Sequence, residues 1–251
     1  MPKSNLKSGR TWEKIVLALV CLCLIGAIIY TCATLLYTPE DGWGAENSHK
    51  TKSNFTLMTV QCGGALILCL LPSLLRRVFR LELPPGLLMY YYLFLFGAAF
   101  LGEVFRFYYV VPHWDDILHI TSGAALSIVG FSIVNACCGS GGIERLPAGF
   151  SVLCAFMLGL TIGVIWEFYE FTADGLLGMN MQKFALEDGT NLVGRAALMD
   201  TMKDLMVDFA GAGLGALALY APLKRKKPIF QSFLIRHLPK KGNSQSSPAK
   251  N

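Results

Sequence analysis

Six apolar runs, each close to twenty residues long, constrain this chain more than anything else in it. They cover about residues 15–37, 55–75, 86–105, 114–138, 148–171 and 199–221. About 20 apolar residues suffice to cross a bilayer as a helix. The expected fold class is therefore all-α, a polytopic membrane bundle of about six transmembrane helices. Composition agrees: charged residues make up only 16% of the chain, against about 25% in soluble domains. The first run is too long for a signal-peptide core and lacks a small-residue cleavage site, so it reads as an uncleaved span.

The runs divide the chain into three parts. Residues 1–14 form a polar, basic N-terminal segment, 15–221 the six-span domain and 222–251 a basic tail. The longest connection is expected at 172–198, and neither a repeat nor a second domain is visible. The apolar run 229–238 is too short to span and is expected on the membrane surface, ahead of a disordered Ser/Lys/Pro end. Tyr90, Tyr91 and Tyr92 open span three as an expected interfacial belt.

The formal net charge is +5. Its distribution sets an orientation. With six spans, one side holds the N-terminus, Arg76, Arg77, Arg80, Arg145 and the tail, while the other keeps Lys50, Lys52, Arg106, Lys183 and Arg195. The positive-inside rule then puts both termini in the cytoplasm. No basic face interleaved with aromatics exists, which excludes nucleic acid as a partner. The 8 cysteines all lie in or beside apolar runs and read as free thiols.

Under this topology the intramembrane polar residues share one depth. Span three carries Glu103 near its end. Span four starts with Asp115, Asp116 and His119, span five ends with Glu167 and Glu170, and span six starts with Asp200, Asp204 and Asp208. Acids inside a span are costly and usually face a bundle interior, a cavity or a cation. Asp115 and His119 share a helix face, as do Glu167 and Glu170, and the three aspartates of span six form one row. Small residues continue these rows as His119, Gly123, Ser127; Gly159, Gly163, Glu167; and Asp208, Ala212, Ala216. Small residues let backbones approach closely in lipid, so the acids are expected to face one another.

Carboxylates crowded in a poorly solvated site cannot all stay ionised unless a cation joins them. The expected metal ligands are Asp115, His119, Glu167, Asp204 and Asp208, with Glu170 as a catalytic general base. Oxygens with one nitrogen suit one or two ions of zinc, manganese or iron. Simpler roles stand beside these. Asp200 also reads as a helix N-cap, Asp204 as a partner of Lys203, Glu103 as a partner of Arg106, and His119 as a packing residue.

Three motifs carry a resemblance: Trp114-Asp-Asp-Ile-Leu-His119, Trp166-Glu-Phe-Tyr-Glu170, and Asp200-Thr-x-x-Asp-Leu-x-x-Asp-x-x-Gly-Ala212. Spans three to six resemble the YjdF-like bacterial inner-membrane proteins and, more distantly, the VanZ-like proteins. The chain departs from the VanZ-like pattern with Glu170 where glutamine is usual and Asp208 where asparagine is usual, which makes the site more acidic. The resemblance implies a bacterial cytoplasmic-membrane location, a fold and a shared polar site, but no reaction. Three functions fit these features. One is a metal-dependent enzyme acting on a lipid or envelope substrate. Another is a cation- or proton-coupled carrier, although spans interrupted by Gly or Pro and an internal repeat are not evident. The third is a scaffold stabilised by an ion. Oligomeric state is not readable.

Overall fold

The computed structural model describes residues 3–39, 51–138, 142–186, 189–225 and 234–237. Lys50, most of the run 229–238 and the Ser/Lys/Pro end lie outside the described residues. Among the described residues, six helices are long and apolar enough to cross a membrane: Thr11–Tyr37, Lys52–Phe79, Pro85–Val104, Trp114–Cys137, Ala148–Leu177 and Met199–Lys224. They are called spans one to six below. Large apolar side chains such as Leu22, Leu36, Phe168, Phe209 and Leu217 point outward from them. A soluble bundle would bury such side chains, and a lipid-facing surface exposes them. The chain is an all-α, multi-pass membrane protein.

The spans pack as two trios. Spans one, two and three enclose an apolar core of Val20, Leu24, Ala27, Cys62, Ala65, Tyr92 and Leu95. Spans four, five and six enclose a second core at the end away from the acids, made by Phe131, Ile143, Val152, Ala155, Ala216, Leu219 and Leu223. All eight cysteines are free.

Several boundaries differ from the expectation. Span two breaks at Cys69-Leu70 before Pro72, then ends in a wide π-type turn, Leu75–Phe79. Pro72 has no N–H for the Leu68 carbonyl, four residues back, and the Tyr91 hydroxyl donates to that oxygen instead at 2.8 Å. So a proline-interrupted span is present after all. Of the three tyrosines at the start of span three, Tyr92 is buried in the protein and Tyr90 donates to Thr121 of span four at 3.0 Å. Span three is π-helical over Phe96–Val104.

Span five runs past 171 to Leu177 and stops at Gly178, which takes the left-handed conformation favoured by glycine at helix ends. The following connection is correspondingly shorter. Part of the tail docks on the protein rather than lying free on a membrane. Strand β2, Arg236–His237, pairs antiparallel with β1, Leu81–Glu82, and Ile235 N–H donates to Ser132 at 3.2 Å.

Glycines set how closely spans four, five and six approach. A Cβ on Gly211 would stand under 3.0 Å from the Ile120 backbone, and one on Gly123 would meet the Asp208 carbonyl at 2.8 Å. A Cβ on Gly159 would meet the Ser127 amide at 2.8 Å, while Gly163 lies directly against the Asp208 carboxylate. Gly123, Gly159 and Gly163 belong to the rows of small residues expected from the sequence, Gly211 does not, and the contacts they permit put short aspartate side chains within reach of a histidine on another helix.

Candidate functional site

The site is built at the start of spans four and six and the end of span five. His119 is buried, at 8% exposure, and both ring nitrogens face acids. Nδ1 lies 3.2 Å from Asp208 Oδ1, within hydrogen-bonding distance. Nε2 lies 3.7 Å from Asp115 Oδ1 and 3.9 Å from Asp204 Oδ2, too far for hydrogen bonds. If the Asp208 carboxylate accepts from Nδ1–H, the imidazole is in the tautomer whose Nε2 lone pair faces Asp115 and Asp204.

Asp115, His119 and Asp204 each offer one ligand atom within 4.8 Å of the others. Ligands held about 2.1 Å from one ion stand roughly 3–4 Å apart, so the Nε2 distances fit a shared cation. Asp208 is on the far side of the ring. It meets Nδ1 and lies outside the group of three atoms that gathers at Nε2. Carboxylates behind metal-bound imidazoles commonly orient the ring and raise ligand basicity.

Two glutamates complete the polar end of span five. Glu170 is buried and accepts a hydrogen bond from Trp166 Nε1 at 2.9 Å on Oε1. Glu167 is 3% exposed, and neither of its oxygens has a hydrogen-bond partner; the same holds for Asp204 Oδ1. A buried polar atom without a partner costs about 1–3 kcal/mol, more if charged.

Asp200 and Lys203 have different partners from those the sequence suggested. Asp116 faces away from His119, toward His113 Nδ1 at 2.7 Å and Lys203 Nζ at 2.6 Å. Lys203 thus pairs with Asp116 and not with Asp204. Asp200 makes no cap: the N-cap position is Leu198, without a side-chain hydrogen bond. Its Oδ1 is 3.0 Å from Lys183 Nζ.

Lys183 is the residue that sequence reasoning missed, since a single loop lysine on the less basic side carries no sign of a role. Its ammonium bonds Asp115 Oδ2 as well as Asp200, and sits 5.7 Å from the Tyr108 ring centroid. The loop that carries it is tightly specified. Asp174, buried at the end of span five, accepts from the backbone N–H groups of Met181 at 2.7 Å and Gln182 at 3.0 Å. The Asn180 side chain bonds both backbone groups of Ala185, and Gln182 Nε2 donates to Thr201 of span six at 2.8 Å. Burial disfavours the Lys183 ammonium, but Asp115 and Asp200 outweigh it and hold its pKa above the usual lysine range. Burial, then Glu103 and Asp115, push the Tyr108 phenol well above its own. The sequence near it carries turn formers at Gly178 and Asn180, beside an excess of acid.

Comparison with known proteins adds a family and no chemistry. A model of the family described as "Predicted membrane protein (DUF2238)" matches residues 42–225, which takes in spans two to six. An uncharacterized protein of Thermotoga maritima is 29% identical over 150 residues, 59% of this chain and 69% of the relative. No solved structure matches the chain.

Proposed function

The chain belongs to the DUF2238 family of predicted membrane proteins, and from its site we propose a membrane enzyme that uses one divalent ion against a lipid or envelope substrate. Asp115, His119 and Asp204 would hold the ion, with Asp208 orienting His119. Zinc, manganese or iron suits this oxygen and nitrogen set. The ion would lower the pKa of a bound water or polarise a substrate oxygen. Glu170, with Oε1 held by Trp166, is the candidate general base. Glu167 remains a further ligand, because its two buried oxygens have no other partner.

One observation carries the reading. Three ligand atoms from two spans converge within 4.8 Å, and the histidine among them is held from behind by a carboxylate. A carrier would need the polar path to continue across the membrane. The opposite half of this trio is instead packed by Phe131, Ile143, Ala155 and Leu219, which favours a site open to one side. The Lys and Arg asymmetry supports placing that side outward, with both termini in the cytoplasm of a bacterial cell. Labelling that put residue 180 and the C-terminus on one side of the membrane would overturn the orientation.

Elemental analysis of the purified protein in detergent tests the ion. About one zinc, manganese or iron per chain is expected in wild type and none in His119→Ala. If no stoichiometric metal is present and the melting temperature ignores these ions and chelator alike, the metal reading fails.

A further inference from the structure

Asp115 divides its carboxylate between two neighbours. Oδ1 faces His119 Nε2 at 3.7 Å, while Oδ2 holds the Lys183 ammonium. From there Lys183 reaches Asp200 Oδ1 at 3.0 Å. This is how a carboxylate bridges two cations, one on each oxygen. In two-metal hydrolytic sites the ions stand about 3.5–4 Å apart. Here the position beyond Asp115 Oδ2 is filled by a side chain of the protein itself.

We propose that Lys183 is the built-in second cation of this site, so that the centre takes one divalent ion where its carboxylates would otherwise hold two. The inference rests on the reading that Asp115, His119 and Asp204 bind the first.

Three features support a dedicated position for this lysine. The first is its backbone. Lys183 has a φ of +47°, in the left-handed region that residues other than glycine, asparagine and aspartate seldom adopt. Such strain persists only where the surroundings impose it. The second is the set of bonds that impose it. Asp174 fixes the two residues before the lysine, Asn180 closes the turn on Ala185, and Gln182 ties it to span six. The third is the acid left over. Glu167 and Asp204, both almost fully buried, keep oxygens without partners even with Lys183 in place. The ammonium therefore serves Asp115 and Asp200 and leaves the rest of the site short of positive charge, which a single divalent ion at His119 would supply.

The chemistry of the two cations differs in a way that explains the division. An ammonium brings one charge and three donors on a stem that cannot dissociate from the chain. It can hold Asp115 and Asp200 permanently, and it offers no coordination position for a water or a substrate. An ion held by Asp115, His119 and Asp204 would then be the one position able to activate a water.

Counting ions tests this. The full-length protein in detergent is saturated with manganese or zinc, and bound metal per chain is measured. Wild type and Lys183→Arg are expected to bind one. Lys183→Met is expected to bind a second, weaker ion, lost again in Lys183→Met with Asp200→Asn. Electron paramagnetic resonance of the manganese forms should show an isolated ion in wild type and a coupled pair in Lys183→Met. Lys183→Gln serves in its place if the methionine variant does not fold. Two ions in wild type, or one in both neutral variants, overturns the proposal while the His119 centre stands. No ion in wild type defeats the centre, and this proposal with it.

Discussion

The two trios solve the same packing problem with different surfaces. Spans one to three meet through ordinary side chains, among them Leu24, Cys62, Tyr92 and Leu95, and a Cβ added to Gly26, Gly63 or Gly64 would find nothing within 4 Å. Spans four to six meet backbone to backbone, with Gly123, Gly159, Gly163 and Gly211 at the contacts. Lipid gives no hydrophobic drive for helices to associate, so either surface works if it fits. Only the second can place aspartates of one helix against a histidine of another, because an aspartate side chain is short. Buried aspartates and interhelical glycine contacts therefore occur in the same trio. The first trio carries an acid, Glu103, at the end of span three, and its apolar core closes without it.

The sharpest way to break the comparison is to add one methyl group in each trio. Gly211→Ala puts a Cβ against the Ile120 backbone, which has nowhere to move without separating spans four and six. Overpacking costs typically 1–3 kcal/mol, and a clash with backbone belongs at or above the top of that range, about 3 kcal/mol. Gly63→Ala meets open space and should be neutral or stabilise by about 0.5–1 kcal/mol, from the lower backbone entropy of alanine in a helix. Thermal unfolding in detergent checks both. Equal effects would show that close approach is not what holds the second trio.

Asp208→Asn tests the second trio more finely, because it keeps the shape and removes the charge behind His119. The amide can still accept from Nδ1–H, so folding should survive. Loss of the orienting carboxylate should weaken metal binding about 10–100-fold, which is about 1.4–2.7 kcal/mol. The melting-temperature rise with added zinc or manganese should shrink accordingly at a fixed ion concentration. Isothermal titration with either ion measures the affinity directly. An unchanged affinity would remove Asp208 from the site and leave it a packing residue beside Gly163.

Much of this was legible in the sequence, for reasons that also mark the limits. Span lengths follow from apolar runs. The gathering of acids at one end follows from their depth in alternating helices, and the facing of Asp115 on His119 follows from four-residue spacing. Spacing alone does not say which ring nitrogen an acid meets, so Asp204 and Asp208, on one row, looked equivalent and are not. Lys183 was hidden because its position depends on tertiary hydrogen bonds from Asp174 and Gln182, and a lone loop lysine has no periodicity. The break at Pro72 was visible as a proline, but its remedy, the Tyr91 hydroxyl, comes from the next span. The π-helical turns of span three leave no pattern that alternation or heptads would reveal.

The smallest expected effect lies in the first trio, and it sets the scale for polar contacts there. Thr59 Oγ1 donates to Thr31 Oγ1 at 2.8 Å, the pair linking spans one and two. Thr31 is fully buried, and its hydroxyl also bonds the Ala27 carbonyl of its own helix at 2.9 Å. Thr59 has the same recourse, to Phe55 at 2.8 Å. Each hydroxyl therefore keeps a partner when the other is removed, and neither is left stranded in an apolar interior. A double-mutant cycle of Thr31→Val and Thr59→Val should give a coupling near the average for interhelical hydrogen bonds in membranes, about 0.6 kcal/mol. The same cycle on His119→Ala and Asp208→Ala should give clearly more in the presence of metal, because removing His119 leaves the Asp208 carboxylate buried and uncompensated, while removing Asp208 leaves the ring N–H without its acceptor. A threonine coupling as large as the His119–Asp208 coupling would mean that polar bonds hold both trios alike, and the contrast between them would not stand.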